Sequence, residues 1–446
     1  MPLKSTIEFL KSRDELKTAE ILLDTFAKYS NQNFQYDNLA QLYYEIKAYR
    51  KSEEFANKSL TTSTKPEEQF AARCNLAKIY NHLNEPLKAL ENIKVNLFLN
   101  PNYELMMEEI FSHYLLGEHE ECERQLRELK EDPNIPSEIL YRINFNLGTY
   151  EMDKGDFKEG FKKFTRDGRK VDVFKKLTPP ENLEEWSGNI EEGKKILILH
   201  RGGIGDEIIN VRFMKLMEKK GLKPLWVTST KDLKGVFNRN GLKTIYGIQE
   251  FPEDDNIFEY EFCSSMDLPY ILDLDKKDLG REPYIVPSLE YVEKWSGRIK
   301  GAGIGIKWSG NPLYEHDLHR SLSIDDIMSV LGKRENIVSL QKEGFEGLEK
   351  YPEILDLHSE LESIEDTLAI IWLLDSVITS CTSIAHMAAC MGKKVYVIPP
   401  ISCYYVWLGR KDEKSDWYGD YCTVLRQRTW NSWKEPLEKL KEKINE

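Results

Sequence analysis

The spacing of hydrophobic positions changes once along the chain. Up to about residue 165, apolar and polar residues interleave at helical spacing, as in AARCNLAKIYNHLNEPLKALENIKVNLFLNP from Ala71 and NLGTYEMDKGDFKEGFKKF from Asn146. This predicts paired amphipathic helices. A turn-rich stretch from Leu177-Thr178-Pro179-Pro180 to Gly188 reads as a linker. Short apolar runs follow: KKILILH (194–200), PLWVTS (224–229), KTIYGI (243–248), GIGIKWS (303–309), NIVSL (336–340), SVITS (376–380) and VYVIP (395–399). Such runs predict buried parallel strands. Helices are expected between them over 207–220, 323–331, 382–391 and 433–446, and the alternation predicts doubly wound α/β layers.

The helical part repeats. Leu76, Ala77, Tyr80, Ala89 and Pro101 fall where a tetratricopeptide repeat of roughly 34 residues places its large, small, aromatic, small and closing-proline positions. Leu147, Gly148, Gly160 and Phe164 make a second match, and Leu39, Ala40 and Tyr43 a looser one. Small residues let two helices approach and large ones fill the gaps between pairs, so several pairs must stack to bury a core. The array would offer a surface to a protein or peptide, or would buttress the rest of the chain.

Composition narrows the class. With 62 Lys+Arg against 75 Asp+Glu, the net charge of −13 is spread along the chain and argues against a nucleic-acid partner, which needs clustered cations. The 41% apolar and 11% aromatic content is ample for a folded core. No apolar run reaches the roughly 18 residues of a membrane span. Met1–Leu10 lacks a signal-peptide pattern, and the seven Cys are scattered without a CxxC. The expectation is a soluble cytoplasmic protein.

The candidate chemistry lies at strand ends, where α/β sheets bind ligands. In HRGGIGDEI (200–208), Gly203 and Gly205 allow close approach of backbone to ligand, and Asp206 suits either a general base or a helix cap. The third glycine of a dinucleotide fingerprint is replaced by Ile208, which argues against an NAD-dependent dehydrogenase. Lys307 ends a strand and can meet a phosphate; Arg320 can do the same or make an ion pair. Gln341, after another strand, lines the cleft or ties a turn. Thr382 and Ser383 open a helix whose free N–H groups suit an anion, and His386 shares that face or serves the core. His316, Asp317 and His319 suggest a metal only weakly, and an incidental cluster is the plainer reading.

These pieces carry a resemblance. EEWSGNIEEGKKILILHRGGIGDEIINVRF, MDLPYIL, GIGIKWSGNPLYEHDLHRSL, VSLQKE, DSVITSCTSIAHMAACMGKKVYV and SDWYGDYCTVLRQRTWNSW stand in the order of proteins that join tetratricopeptide repeats to a GT-B glycosyltransferase domain. That domain is similar to the heptosyltransferases and, more distantly, to the O-linked N-acetylglucosamine transferases. The resemblance implies an α+α/β chain: repeats over 1–170, an acceptor-side Rossmann-like half over 171–300 and a donor-side half over 301–446. It implies glycosyl transfer, inverting and metal-independent, from a nucleotide sugar to a protein or glycan that docks along the repeats, with no further cofactor. Asp206 would be the base. Lys307, Gln341, Thr382, Ser383 and His386 would hold the donor, and Arg201, Gly203, Gly205 and Arg320 would contact acceptor or phosphate. Where relatives carry Asp before the threonine, this chain has Cys381, whose thiol substitutes for a carboxylate only if its pKa is lowered. The competing expectation is a non-catalytic scaffold built on a relic sugar-nucleotide fold.

Overall fold

The computed structural model describes residues 3–13, 15–29, 36–167, 177–299, 303–312, 314, 316–408 and 413–445. The expected boundaries near 170 and 300 lie outside the described residues. The chain forms two compact units: Met1–Leu129 with Pro312–His319, and Lys130–Asn311 with Arg320–Glu446.

The first unit is helical. Its helices are α1 (Leu3–Ser12), α2 (Leu16–Tyr29), α3 (Tyr36–Glu45), α4 (Tyr49–Thr62), α5 (Pro66–His82), α6 (Pro86–Leu99), α7 (Tyr103–Leu116) and α8 (His119–Lys130). Prolines at the first positions of α5 and α6 fit where a missing N–H costs nothing. Asn102 caps α7 by accepting from Leu105 N, and Gly117 ends it at φ 80°. Ala40, Ala77 and Ala89 are fully buried, and Leu76 and Tyr80 fill the space beside them.

Residues 312–319 join this unit through histidine. His316 stacks on His82 at 5.5 Å and on His319 at 5.2 Å, with Phe111 5.4 Å from His316. His319 Nε2 meets the carbonyl of Asn81 at 2.8 Å, and His82 Nε2 meets the Tyr44 hydroxyl at 2.6 Å. The rings are turned to one another as packing surfaces, and no metal-holding group of His, Cys, Asp and Glu occurs among the described residues.

The second unit opens with α9 (Ser137–Asp153) and α10 (Phe157–Lys162). A Cβ on Gly148 would lie 2.6 Å from the Phe164 nitrogen and 2.8 Å from the Gly160 oxygen. Backbone therefore meets backbone there, as the small residues predicted.

Two sheets follow. The first comprises β1 (Lys195–Leu199), β2 (Lys223–Thr228), β3 (Thr244–Tyr246) and β4 (Tyr260–Ser264), all parallel, in the order β3-β2-β1-β4. Its helices are α11 (Ile204–Val211), α12 (Phe213–Lys219), α13 (Lys231–Arg239) and α14 (Leu268–Ile271), and α15 (Leu289–Ser296) follows, its Trp295 Nε1 donating to Asp366 of the second half at 2.9 Å. The helix expected over 207–220 starts earlier and breaks at Arg212. There the Arg212 Nε donates to the carbonyl of Ile209, the acceptor a continuous helix would offer to Phe213.

The second sheet comprises β5 (Ile304–Lys307), β6 (Ile337–Ser339), β7 (Leu355–Asp356), β8 (Ser376–Ser380), β9 (Lys394–Ile398), β10 (Lys414–Ser415) and β11 (Gly419–Val424). The order is β10-β11-β9-β8-β5-β6-β7, parallel except for β10. Its helices are α17 (Ile324–Leu331), α18 (Ile364–Leu373), α19 (Ser383–Cys390) and α20 (Lys434–Lys443), while the short α16 (Asp317–Arg320) starts in the segment that joins the helical unit and ends at Arg320 in this one. Ser323 and Ser363 cap α17 and α18 in reciprocal boxes with Asp326 and Asp366. An all-helical region thus precedes two Rossmann-like halves, the α+α/β architecture expected.

Candidate functional site

The two halves meet where α11 crosses α19. A Cβ on Gly205 would lie 2.7 Å from His386 Cδ2, so the missing side chain makes room for the imidazole. Sequence reasoning gave that space to a ligand; in the structure the histidine fills it. The packing brings the glycine loop beyond β1 beside the first turns of α19.

Asp206 is the third residue of α11. Its Oδ2 accepts the Gly203 N–H at 2.8 Å, and its Oδ1 accepts the Tyr404 hydroxyl at 2.8 Å. It turns back onto the helix start instead of standing at the cap position, which Gly203 occupies. Gly202 makes this turn at φ 97°, and a Cβ there would strike the Asp206 carboxylate at 2.5 Å. Arg201 anchors its backbone N–H on Ser265 Oγ at 3.1 Å. Its Nε is buried and makes no hydrogen bond.

The second half presents β5, β8 and the start of α19. Lys307 ends β5 and pairs in register with Thr379 of β8. The Thr379 and Thr382 hydroxyls are 2.9 Å apart. Thr382 stands at the cap position of α19, followed by Ser383. Arg320 Nη1 donates to the Cys381 carbonyl at 2.8 Å, which puts a guanidinium beside the same turn. Gln341 is fully buried. Its Nε2 donates to Ser309 Oγ at 2.7 Å and also to the Glu343 carbonyl, so its amide ties the β6 turn to the loop after β5.

Burial sets the protonation states. It pushes the Cys381 thiol up to about 11, against the pull of the Arg320 charge, so the sulfur is a neutral thiol at pH 7. It pushes His386 down to about 3, with the Arg212 charge adding to the effect, so the imidazole is neutral. His386 Nδ1 meets the Tyr418 hydroxyl at 2.8 Å, and Trp407 packs on its ring at 5.0 Å.

Arg212 was missed from the sequence. It is buried and donates to the carbonyls of Leu279 at 3.1 Å, Gly280 at 3.0 Å and Trp417 at 2.8 Å. The rings of Tyr284 and Tyr418 lie 4.8 and 4.6 Å from its guanidinium carbon. No carboxylate pairs with it among the described residues, so the cation is solvated by carbonyl dipoles and ring faces. A second missed group is Glu207, fully buried, which accepts Trp226 Nε1 at 2.8 Å and lies 3.5 Å from His200 Nε2. Tyr404 is the third. Its run, Cys403-Tyr404-Tyr405-Val406-Trp407, reads as core. The available signal was its place beyond the carboxyl end of β9.

The arrangement joins a carboxylate, a helix start with hydroxyls, and cations from β5 and α16. Chemically, that suits deprotonating a hydroxyl beside a bound anion.

No family model matches the sequence, and no curated protein matches it. Among solved structures the chain is similar to a glycosyl transferase family 9 protein from Veillonella parvula, at 11% identity and TM-score 0.40 over 54% of this chain and 88% of that one. It is also similar to the E. coli ADP-heptose LPS heptosyltransferase II, at 10% identity and TM-score 0.39 over 56% of this chain and 97% of that one. A Thermobaculum terrenum O-GlcNAc transferase mutant matches at 10% identity and TM-score 0.35 over 92% of this chain and 91% of that one.

Proposed function

We propose that the chain is a glycosyltransferase that moves a sugar from a nucleotide-sugar donor to a protein or glycan acceptor, with inversion and without a metal. The observation that carries this reading is the seat of His386 against Gly205, which brings the loop of Asp206 beside the N-terminal turns of α19. Asp206 takes the proton of an acceptor hydroxyl. The oxygen attacks the anomeric carbon as its bond to the nucleoside diphosphate breaks. Lys307, Arg320, the Thr382 and Ser383 hydroxyls and the α19 N–H groups meet the charge that appears on the leaving diphosphate. His386, held neutral, contacts the donor without adding charge. Gln341 shapes the donor side by fixing Ser309, and the Arg201 guanidinium meets an anionic group of the acceptor. The lobes are 1–170 for acceptor docking, built as tetratricopeptide-like repeats, 171–300 for the acceptor side and 301–446 for the donor.

One observation favours a second reading. The neutral Cys381 thiol cannot make a carboxylate's contact, as expected of a scaffold that has lost donor chemistry. A panel of UDP-, GDP-, ADP- and CMP-sugars separates the two. Under the first reading one donor raises the melting temperature and is turned over, and Asp206→Asn abolishes turnover while leaving donor binding within a few fold. No shift with any donor supports the scaffold; near-normal turnover by Asp206→Asn removes Asp206 as base.

A further inference from the structure

Each oxygen of the Asp206 carboxylate accepts a hydrogen bond, one from its own loop and one from a distant loop. Gly203 N–H fixes Oδ2 from within the same loop. The hydroxyl on Oδ1 belongs to Tyr404, from the loop that follows β9 in the other Rossmann-like half. Tyr404 is braced edge-on by Tyr405 at 4.5 Å. Tyr405 is buried and packs on Phe164 at 4.8 Å and Trp417 at 5.7 Å, so the platform behind the phenol is fixed. The same loop lays Trp407 on His386. Trp407 is itself pinned, its carbonyl accepting Arg426 Nε at 2.7 Å and Cys403 Sγ at 3.5 Å. One short segment therefore touches both the carboxylate of the first half and the histidine of the second.

We propose that Tyr404 is a positioning residue for Asp206, holding its carboxylate oriented and ionised and tying that orientation to the loop that covers His386. This rests on the reading of Asp206 as base. An ionised carboxylate has about four acceptor positions. Gly203 and Tyr404 take one on each oxygen, which stops rotation about the carboxyl bond. The phenol O–H donates to the carboxylate and so stabilises its charged form. A base fixed in this way has no search to make when the acceptor arrives.

The test is Tyr404→Phe, which keeps the ring on Tyr405 and removes only the hydroxyl. Carboxyl carbons of aspartate-labelled full-length protein are followed by NMR across pH, and the Asp206 signal is assigned by its loss in Asp206→Asn. The Asp206 midpoint moves up by about one pH unit in Tyr404→Phe; an unmoved midpoint overturns the proposal. In the donor panel, release of nucleoside diphosphate by Tyr404→Phe falls about tenfold in kcat with donor KM within about twofold. Near-normal turnover by Asp206→Asn defeats the base reading and this proposal with it. An inactive Asp206→Asn beside a Tyr404→Phe of normal kcat and unmoved midpoint defeats the positioning role alone.

Discussion

At Gly205 the α11–α19 crossing depends on a single absent methyl. The atom that a new Cβ would meet is in a ring wedged under Trp407 and hydrogen-bonded to Tyr418, so it cannot swing aside cheaply. Gly205→Ala should cost about 1–3 kcal/mol of stability by urea denaturation. In a His386→Ala background the same change should cost much less, because the clash is gone. Equal costs in both backgrounds would show that the ring does not occupy the glycine's space. The residue level also shows what the sequence carried. The segment HRGGIGDEI announced a Gly-Asp loop at a strand end, and Asp206 is there, with its carboxylate bound by Gly203 and Tyr404. What could not be read was the use of each glycine. Gly202 supplies a left-handed backbone and room for the carboxylate, and Gly205 supplies room for a residue far along the chain. Arg212, Glu207 and Tyr404 escaped because their partners are carbonyls, an indole and a carboxylate brought together only by the fold.

Among the elements, strands of continuous apolar residues were legible, since burial on both faces leaves no alternation to confuse the reading. Four residues of β1, Ile196 to Leu199, are buried. Strand β4 was not legible, because Glu261 interrupts it and finds Lys194 at 2.6 Å, a partner the pattern does not show. The α9–α10 crossing gives a graded prediction. Alanine at Gly160 meets the flexible Met152 side chain first, whereas alanine at Gly148 meets the Phe164 backbone. Each change gains up to about 1 kcal/mol of helix propensity. Gly148→Ala should therefore be the more destabilising by about 1 kcal/mol or more, read as a lower urea midpoint. Two buried histidines, His319 in the stack on α5 and His386 on α19, give the elements an acid sensitivity. Burial, then neighbouring charges, pushes each down to about 3 from the usual 6.5. Between those values the unfolded chain binds protons that the folded chain does not. Stability is therefore fully present above about pH 6.5 and falls as pH drops toward 3. His319→Gln should flatten the loss in urea midpoint between pH 7 and pH 5; an unchanged slope would mean that His319 already titrates normally in the fold.

For the whole molecule, the −13 net charge makes placement of the cations decisive. An acidic chain that binds a diphosphate must gather positive potential locally. Arg320 stands beside the start of α19 and Lys307 ends β5 in register with Thr379, while Arg212 is buried beside His386 with no carboxylate paired to it among the described residues. The helical array and the two α/β halves were legible as classes because the period of the hydrophobic pattern changes between them. Which unit a segment joins was not: residues 312–319 lie between strands of the second sheet in sequence, yet their histidines pack in the helical unit. Donor binding is decided by isothermal titration of the full-length protein with UDP, GDP, ADP and CMP, for the wild type and for Lys307→Ala. One of these nucleotides is expected to bind, and Lys307→Ala to weaken it by about tenfold or more, as a charge-assisted phosphate contact requires. Binding of none of the four, or binding unchanged by Lys307→Ala, would contradict this expectation.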